Sequence, residues 1–224
     1  MDEIPTEGNP ASYAFELSGG ALCLDFVNTL GNRAGPELLE EHLRTYGDVV
    51  EFARQAGAIE DPAAETLHRA AEARRQEAAR VLDRAIGLRE ALHRIFDPLA
   101  RRERPEETGL TGLNAELGRA LAHVRISRRD DAYALGWDDL AAGVDSGSGP
   151  PGEARLDAPL WPVAHSAMEI LLEADLSRVG ECDSDTCGFL FLDTTKNRSR
   201  RWCDTRICGN RARVRRHRRR QAEA

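Results

Sequence analysis

Four of the five cysteines in the 224-residue sequence lie within 27 consecutive residues. They form two equally spaced pairs, Cys182-x4-Cys187 and Cys203-x4-Cys208, which are separated by 15 residues. Two such pairs on tight turns direct four thiolates at one point, as tetrahedral Zn²⁺ requires, and the closed site supplies folding energy to a short segment. We therefore predict one structural zinc ion per chain, bound by these four cysteines.

Other chemistry is compatible with the same cysteines. Two disulfides, four unconnected thiols or an iron–sulfur cluster are alternatives, but paired spacing in a cytosolic chain favours zinc. His217 is a further candidate ligand, although four thiolates already complete the site. Cys23 stands between Leu22 and Leu24, so we expect it to be a buried apolar residue rather than a reactive one.

Basic residues are concentrated around and after the second cysteine pair. The range from Lys196 to Arg220 holds 12 basic residues and one acid, a charge of +11, so the other 199 residues sum to −18 within the total of −7. The segment from Cys208 to Gln221 suits a helix of about 21 Å that is too polar for a core. Such a helix suits a nucleic-acid groove, where arginines contact phosphates and guanine edges. The predicted nucleic-acid contacts are Lys196, Arg198, Arg200, Arg201, Arg206, Asn210, Arg211, Arg213, Arg215, Arg216, Arg218, Arg219 and Arg220.

Two alternatives remain for this basic segment. It could be a solvated charge run or an internal partner of the acidic remainder. Arginine-rich helices also suit RNA, so an RNA-binding zinc module is an alternative interpretation of the same residues.

The elements that position these residues are predicted to be mainly helices, with a little sheet. Strands are expected at 123–127 and 132–137, as a hairpin, and at 188–193, leaving the first cysteine pair, and the loop between the pairs is long enough to hold a hairpin. Gly143 to Glu153 resembles a flexible surface loop. The helical segments predicted from apolar spacing, capping residues and prolines are 22–30, 39–53, a stretch from Asp61 that breaks near 76–79, 82–99, 110–121 and a helix from Pro162.

The small zinc-binding segment needs its own apolar cover and tight turns. Phe189, Phe191 and Trp202 are the aromatic residues available to surround the metal site. Gly188 and Gly209 each follow a cysteine, where they give the backbone freedom to turn.

Composition excludes several classes of protein. Hydrophobic residues make up 41% and aromatic residues 5%, which is typical of a globular protein with a lean core. The longest uncharged run, Ala158 to Met168, is too short to span a bilayer. The Met-Asp-Glu start shows no secretory signal, so a cytoplasmic location is expected. No nucleophile elbow, phosphate loop or paired-carboxylate motif is present, and we do not expect an enzyme.

Two stretches of the sequence resemble known families. The run Cys203-Asp-Thr-Arg-Ile-Cys208-Gly-Asn-Arg211, preceded by Phe189–Asp193 and Asn197–Trp202, is similar to the CGNR zinc finger. Upstream, Leu24–Leu30 with Arg33 resembles the start of the ABATE domain. Phe189 stands where the finger family often has Trp, and Asp204 adds an acid beside the second pair, but neither difference removes a ligand.

The resemblance implies a bacterial, stress-responsive transcription regulator with a sensing N-terminal domain and a DNA-binding zinc finger. We accordingly expect a mainly α (α+β) chain: an ABATE-like helical sensor domain over 1–176, then a treble-clef-like or ribbon-like finger over 177–224 ending in a basic helix. Duplex DNA, an unknown small-molecule effector and a second copy of the chain are the expected partners. Asp25, Asn28 and Arg33 are candidates either for effector binding or for a structural cap and salt bridge. A third alternative is a small-molecule-binding or enzymatic N-terminal domain with a structural finger.

Overall fold

The computed structural model describes residues 13–137 and 154–222, and most of these residues are helical. The mainly helical fold class with small antiparallel strand pairs is thus confirmed. The predicted loop at 143–153 lies outside the described residues. The helices are α1 (Leu22–Val27), α2 (Tyr46–Gln55), α3 (Asp61–Ala73), α4 (Arg75–Ala100), α5 (Glu107–Leu121), α6 (Trp161–Glu173) and α7 (Asn210–Ala222).

The described strands form three separate antiparallel pairs. Strand β1 (Leu30–Gly31) pairs with β2 (Glu40–Glu41). Strand β3 (Val124–Arg129) pairs with β4 (Ala132–Trp137), which confirms the predicted hairpin. The third pair is β5 (Val179–Glu181) with β6 (Leu190–Leu192). Cys182 and Cys187 lie in the connection between β5 and β6, so the hairpin surrounds the first cysteine pair instead of lying between the two pairs.

Helix α2 begins later than the apolar spacing from Leu39 predicts. Thr45 accepts a hydrogen bond from the backbone N–H of Asp48, and the Asp48 carboxylate accepts one from the backbone N–H of Thr45. This capping box satisfies two N–H groups that a helix start leaves unpaired, and it fixes the first residue at Tyr46. Leu39 is half exposed in the preceding segment, whereas Leu43 is buried outside the helix.

The long helical stretch from Asp61 breaks at Arg74, earlier than the predicted 76–79. Arg74 has φ −120° and ψ 50°, which lie outside the helical range. Its guanidinium donates a hydrogen bond to the carbonyl of Ala154, far along the chain. The break therefore coincides with a tertiary contact. No glycine or proline marks it in the sequence.

The main core is built around α1, α4 and α6. Short α1 buries Leu24 and Phe26 completely, and it packs against α4 and α6. Helix α4 contributes Leu92 and Phe96, and α6 contributes Trp161. This core also includes Val179 and Leu190, from β5 and β6. The strands that carry the first cysteine pair are therefore attached to the same apolar core as the helices.

Within residues 13–137 and 154–222, we find no helix that combines the length and the apolar character needed to cross a membrane.

Candidate metal centre and nucleic-acid interface

The second cysteine pair is positioned by the start of the C-terminal helix. Residues Thr205–Gly209 form a single π-helical turn that leads directly into α7. The Asp204 carboxylate caps this turn by accepting a hydrogen bond from the backbone N–H of Arg206 at 2.6 Å. One pair of ligands thus comes from a knuckle between strands and the other from a helix start, as in the treble-clef-like alternative.

The four cysteine sulfurs converge as a tetrahedral zinc site requires. All four Sγ atoms lie within 4.8 Å of one another, and all four residues are buried. Cys203 Sγ is 3.6 Å from both Cys187 Sγ and Cys208 Sγ. A Zn–S bond of about 2.3 Å in tetrahedral geometry sets sulfur atoms about 3.8 Å apart, so the cluster is close to the size that zinc needs. Cys182, Cys187, Cys203 and Cys208 are the ligands of one structural zinc ion.

Hydrogen bonds between the four thiols and their burial shift the pKa values of the cysteines. Hydrogen bonding from the Cys187 and Cys203 thiols lowers the pKa of Cys182. As donors to Cys182, Cys187 and Cys203 have raised pKa values, and burial raises the pKa of Cys208. Four ionised thiols buried this close together would repel one another. A bound Zn²⁺ supplies the charge that keeps all four thiolates ionised.

The apolar cover of the metal centre differs in part from the predicted set. Phe189 is buried against the cysteines, with Trp202 and Ile207 partly buried beside it. Phe191 is also buried but does not belong to this cluster, and its ring centroid lies 4.4 Å from the Arg200 guanidinium carbon. Ile207 contributes to the cover of the metal centre instead. Its position directly before Cys208 is a signal in the sequence that could have identified it.

The two glycines that follow cysteines serve different purposes. Gly188 has φ +67°, a left-handed conformation that favours glycine, and an added Cβ would lie 2.8 Å from the backbone nitrogen of Ala34. Gly209 has no such backbone requirement. A Cβ there would lie 3.3 Å from Trp202, so its small size leaves room for the indole.

Asn28 joins the helical region to the finger. Its side-chain amide donates to the carbonyl of Leu190 at 2.9 Å and accepts from the backbone N–H of Leu190 at 2.9 Å. Asn28 is 5% exposed, so both bonds are buried. The side chain therefore satisfies the outer edge of β6 as a neighbouring strand would.

Asp25 and Arg33 are also engaged within the chain. The Asp25 carboxylate accepts a hydrogen bond from the backbone N–H of Gly19 at 2.6 Å, and burial raises the pKa of Asp25 to about 6. The Arg33 guanidinium forms a two-bond ion pair with Glu90, and its backbone N–H donates to the carbonyl of Cys187 at 3.1 Å. These contacts match the structural alternative for Asp25, Asn28 and Arg33.

Among the predicted nucleic-acid contacts whose side chains the structure describes, Arg200 is the most enclosed. Its guanidinium donates to the carbonyls of Ser18, Leu192, Trp202 and Cys203. These bonds connect the finger to the segment before α1, and they leave the guanidinium turned towards the protein's own backbone.

Three other arginines of the finger are exposed but have acidic neighbours. Arg198 pairs with Asp175 at 2.7 Å, and Arg201 pairs with Asp183 at 2.6 Å. Arg206 pairs with Asp204 at 3.1 Å, although its side chain is 91% exposed. Exposed ion pairs of this kind contribute little to stability and exchange readily for other anions. Lys196 is exposed in the turn after β6.

The remaining predicted contacts belong to α7, which carries seven arginines and no acid. A shallow groove follows one face of this helix, lined by Asn210, Arg211, Val214, Arg215 and Arg218. Arg215 pairs with Asp185 of the first knuckle at 2.8 Å. The other α7 residues of the predicted set whose side chains are described are also exposed, namely Arg213, Arg216 and Arg220. Arg219 belongs to the same helix.

Residues outside the predicted set also shape the site. Asp183 and Asp185 of the first knuckle form ion pairs with Arg201 and Arg215. Their position between Cys182 and Cys187 is a signal in the sequence that could have identified them. Arg102, two residues after the end of α4, donates to the carbonyls of Ser177 and Val179. Its role depends on a contact between distant segments, which no local pattern predicts.

Comparison with protein families identifies both regions. Residues 178–221 match the CGNR zinc finger, and residues 20–174 match the ABATE family, described as "Putative stress-induced transcription regulator". No curated protein matches the chain. The ABATE match covers more than half of the 224 residues, and the finger that follows it holds the cysteine cluster. The chain therefore belongs to the ABATE family and carries a CGNR zinc finger.

Proposed function

We propose that this chain is a zinc-dependent transcription regulator that binds duplex DNA through α7 and the neighbouring basic residues. The observation that carries the proposal is the position of the metal centre at the start of α7. Cys208 lies in the π-helical turn that precedes Asn210, so zinc fixes the end from which a strongly basic helix extends. A four-thiolate zinc centre has a net charge of −2, which is favourable at the N-terminus of a helix.

The charge and exposure of α7 support nucleic acid as its partner. Seven arginines in 13 residues repel one another in the free chain, and a polyanion relieves that repulsion. Arg211, Arg215 and Arg218 line one groove and suit a row of phosphates or guanine edges. Binding rather than catalysis is the activity that we propose.

Salt dependence of binding tests the electrostatic argument. The full-length, zinc-loaded chain is titrated against a fluorescent duplex over a series of salt concentrations, with chelated protein in parallel. If six phosphates are neutralised, log affinity against log salt has a slope of about −5. A flat slope, or equal affinity after chelation, would contradict the proposal.

Competition separates DNA from RNA as the partner. An excess of unlabelled duplex DNA should displace the labelled duplex at a lower concentration than structured RNA of equal length does. The opposite order would identify an RNA-binding module. Enrichment of random duplexes, carried out on the same protein, then tests whether α7 selects a sequence.

Response to stress or to a small-molecule effector is the further part of this proposal. The ABATE region contacts the finger through Asn28 and the backbone of Arg33, so a change near α1 has a direct route to the first knuckle. A library of metabolites screened for a change in duplex affinity tests this part. Bacterial cytoplasm is the setting in which we propose that it acts.

A further inference from the structure

The β3–β4 hairpin exposes an apolar face. Its register pairs Ile126 with Leu135 and Arg128 with Tyr133, which places these side chains on one face of the two-stranded sheet. Ile126 is 76% exposed, Tyr133 77% and Leu135 48%. An isolated two-stranded sheet is only marginally stable in water, and a third strand or a packed face stabilises it.

The two edges of this hairpin differ in charge. Strand β3 carries Arg125, Arg128 and Arg129, and charged residues of this kind protect an edge strand from pairing with another chain. Strand β4, Ala-Tyr-Ala-Leu-Gly-Trp, has no charge and no proline. Within the part of the chain that the structure describes, β3 is the only strand paired with β4. The unprotected edge of β4 is therefore suited to another strand.

We propose that β4 pairs with β4 of a second copy of this chain. The two strands run antiparallel across a two-fold axis at Ala134, and the two hairpins form one four-stranded sheet. The proposal rests on the hairpin alone and is independent of DNA binding.

The backbone of the hairpin sets this register. The two-residue turn Asp130–Asp131 closes on Arg129 and Ala132, which makes them a hydrogen-bonded pair. Alternate residues then direct their backbone groups to opposite sides, so Tyr133 and Leu135 direct theirs to the free edge. An axis at Ala134 pairs Tyr133 with Leu135 of the partner subunit, in both directions. Aromatic and aliphatic side chains opposite each other stabilise a sheet.

The distribution of charge on the hairpin favours this occupant. In the antiparallel arrangement, the Asp130 and Asp131 carboxylates of one copy lie at one end of the joined sheet, and those of the other copy lie at the opposite end. Pairing through β3 would align the arginines of both copies, which repel each other. Nucleic acid at the tip of the hairpin would face the same two carboxylates. Joining two uncharged β4 edges brings no like charges together.

The size of the interface implies a reversible dimer. Two six-residue strands bury less area than the roughly 1,200 Å² typical of stable complexes. We therefore expect association that depends on concentration in the micromolar to millimolar range.

Sedimentation of the full-length, zinc-loaded chain tests the proposal. The average mass of the wild type should rise towards that of two chains as concentration increases, whereas Leu135→Lys should remain monomeric. Leu172→Lys is the matched control, because Leu172 is 76% exposed on α6, outside the hairpin, and this variant should associate like the wild type. A wild type that stays monomeric throughout, or a Leu135→Lys variant that dimerises equally, would overturn the proposal. So would a monomer whose duplex affinity falls on Leu135→Lys, since nucleic acid would then be the occupant.

Cysteine cross-linking tests the register. At Ala134 the two copies form a non-hydrogen-bonded pair with Cα atoms about 4.5 Å apart, a distance that a disulfide spans. Ala134→Cys should therefore give a cross-linked dimer under mild oxidation with zinc bound. Ala132→Cys, in the same strand, places the two thiols too far apart and should stay monomeric. Equal cross-linking of both variants would contradict an axis at Ala134.

Discussion

Residues of the ABATE region bury large apolar side chains such as Phe26, Phe52 and Phe96, all at most 1% exposed. The finger instead buries four cysteines, with Phe189 and the partly buried Trp202 and Ile207 around them. The first region is stabilised by apolar area removed from water, and the second by bonds to a metal. The two are also continuous, because Val179 and Leu190 of the finger belong to the main core. Loss of zinc should therefore disrupt α7 and the second cysteine pair more than β5 and β6.

Removal of one zinc-binding thiolate should separate the behaviour of the two regions most strongly. Cys203→Ser should lose zinc and weaken duplex binding by about 100-fold or more, because α7 loses the centre that fixes its start. The thermal transition of the helical region should remain. Metal analysis, duplex titration and circular dichroism give the three measurements.

Cys23→Ala is the matched control for that variant. Cys23 is fully buried in the main core and is not a zinc ligand, so zinc content and duplex affinity should be unchanged. A collapse of the helical signal in Cys203→Ser would show that the two regions depend equally on the metal.

Cutting the connection between the regions should have the next largest effect. Asn28→Ala leaves the backbone N–H and carbonyl of Leu190 without their buried partner, at a cost of about 2–4 kcal/mol in the free energy of unfolding. Chemical denaturation measures the loss. Asn114→Ala, at an exposed position of α5, should change stability by less than about 0.5 kcal/mol. Equal stability of the two variants would argue against the role of Asn28.

Asp25 should make the stability of the ABATE region depend on pH. Burial raises its pKa to about 6 in the folded chain, so the folded state binds the proton more tightly than the unfolded state does. Its stabilising contribution is complete below the unfolded pKa of about 3.9 and is lost as the pH rises through about 6. Asp25→Asn should remove this dependence, a change of about 1–3 kcal/mol between pH 4 and pH 7. Parallel pH profiles of wild type and variant would contradict the prediction.

Two arginine substitutions should distinguish the DNA interface from the fold, with smaller changes than the variants above. Arg213→Gln, on exposed α7, should weaken duplex binding about three- to tenfold and reduce the salt slope by about 1, without loss of stability. Arg200→Gln should instead lower the stability of the finger, because Arg200 donates to four backbone carbonyls. Salt titrations and melting curves of both variants provide the check. If the two variants behave alike, this division of roles is wrong.

Local spacing in the sequence predicted the metal centre and the β3–β4 hairpin well. The cysteine ligands follow from the repeat of Cys-x4-Cys, because a short knuckle determines its own geometry. The start of α2 and the break at Arg74 did not follow from apolar spacing, since a capping box and a contact with Ala154 decide them. The use of Arg200 within the fold was also beyond local patterns, because its carbonyl partners include Ser18, 182 residues away.

The hydrogen bonds between Asn28 and Leu190 restrict how easily the two regions can be separated during evolution. A finger transferred alone to another protein would expose Val179 and Leu190 and would leave the outer edge of β6 without its amide partner. A host that accepts the finger must therefore supply a substitute for α1, including a side chain that mimics a neighbouring strand. Gene shuffling should consequently retain the pair more often than it separates them.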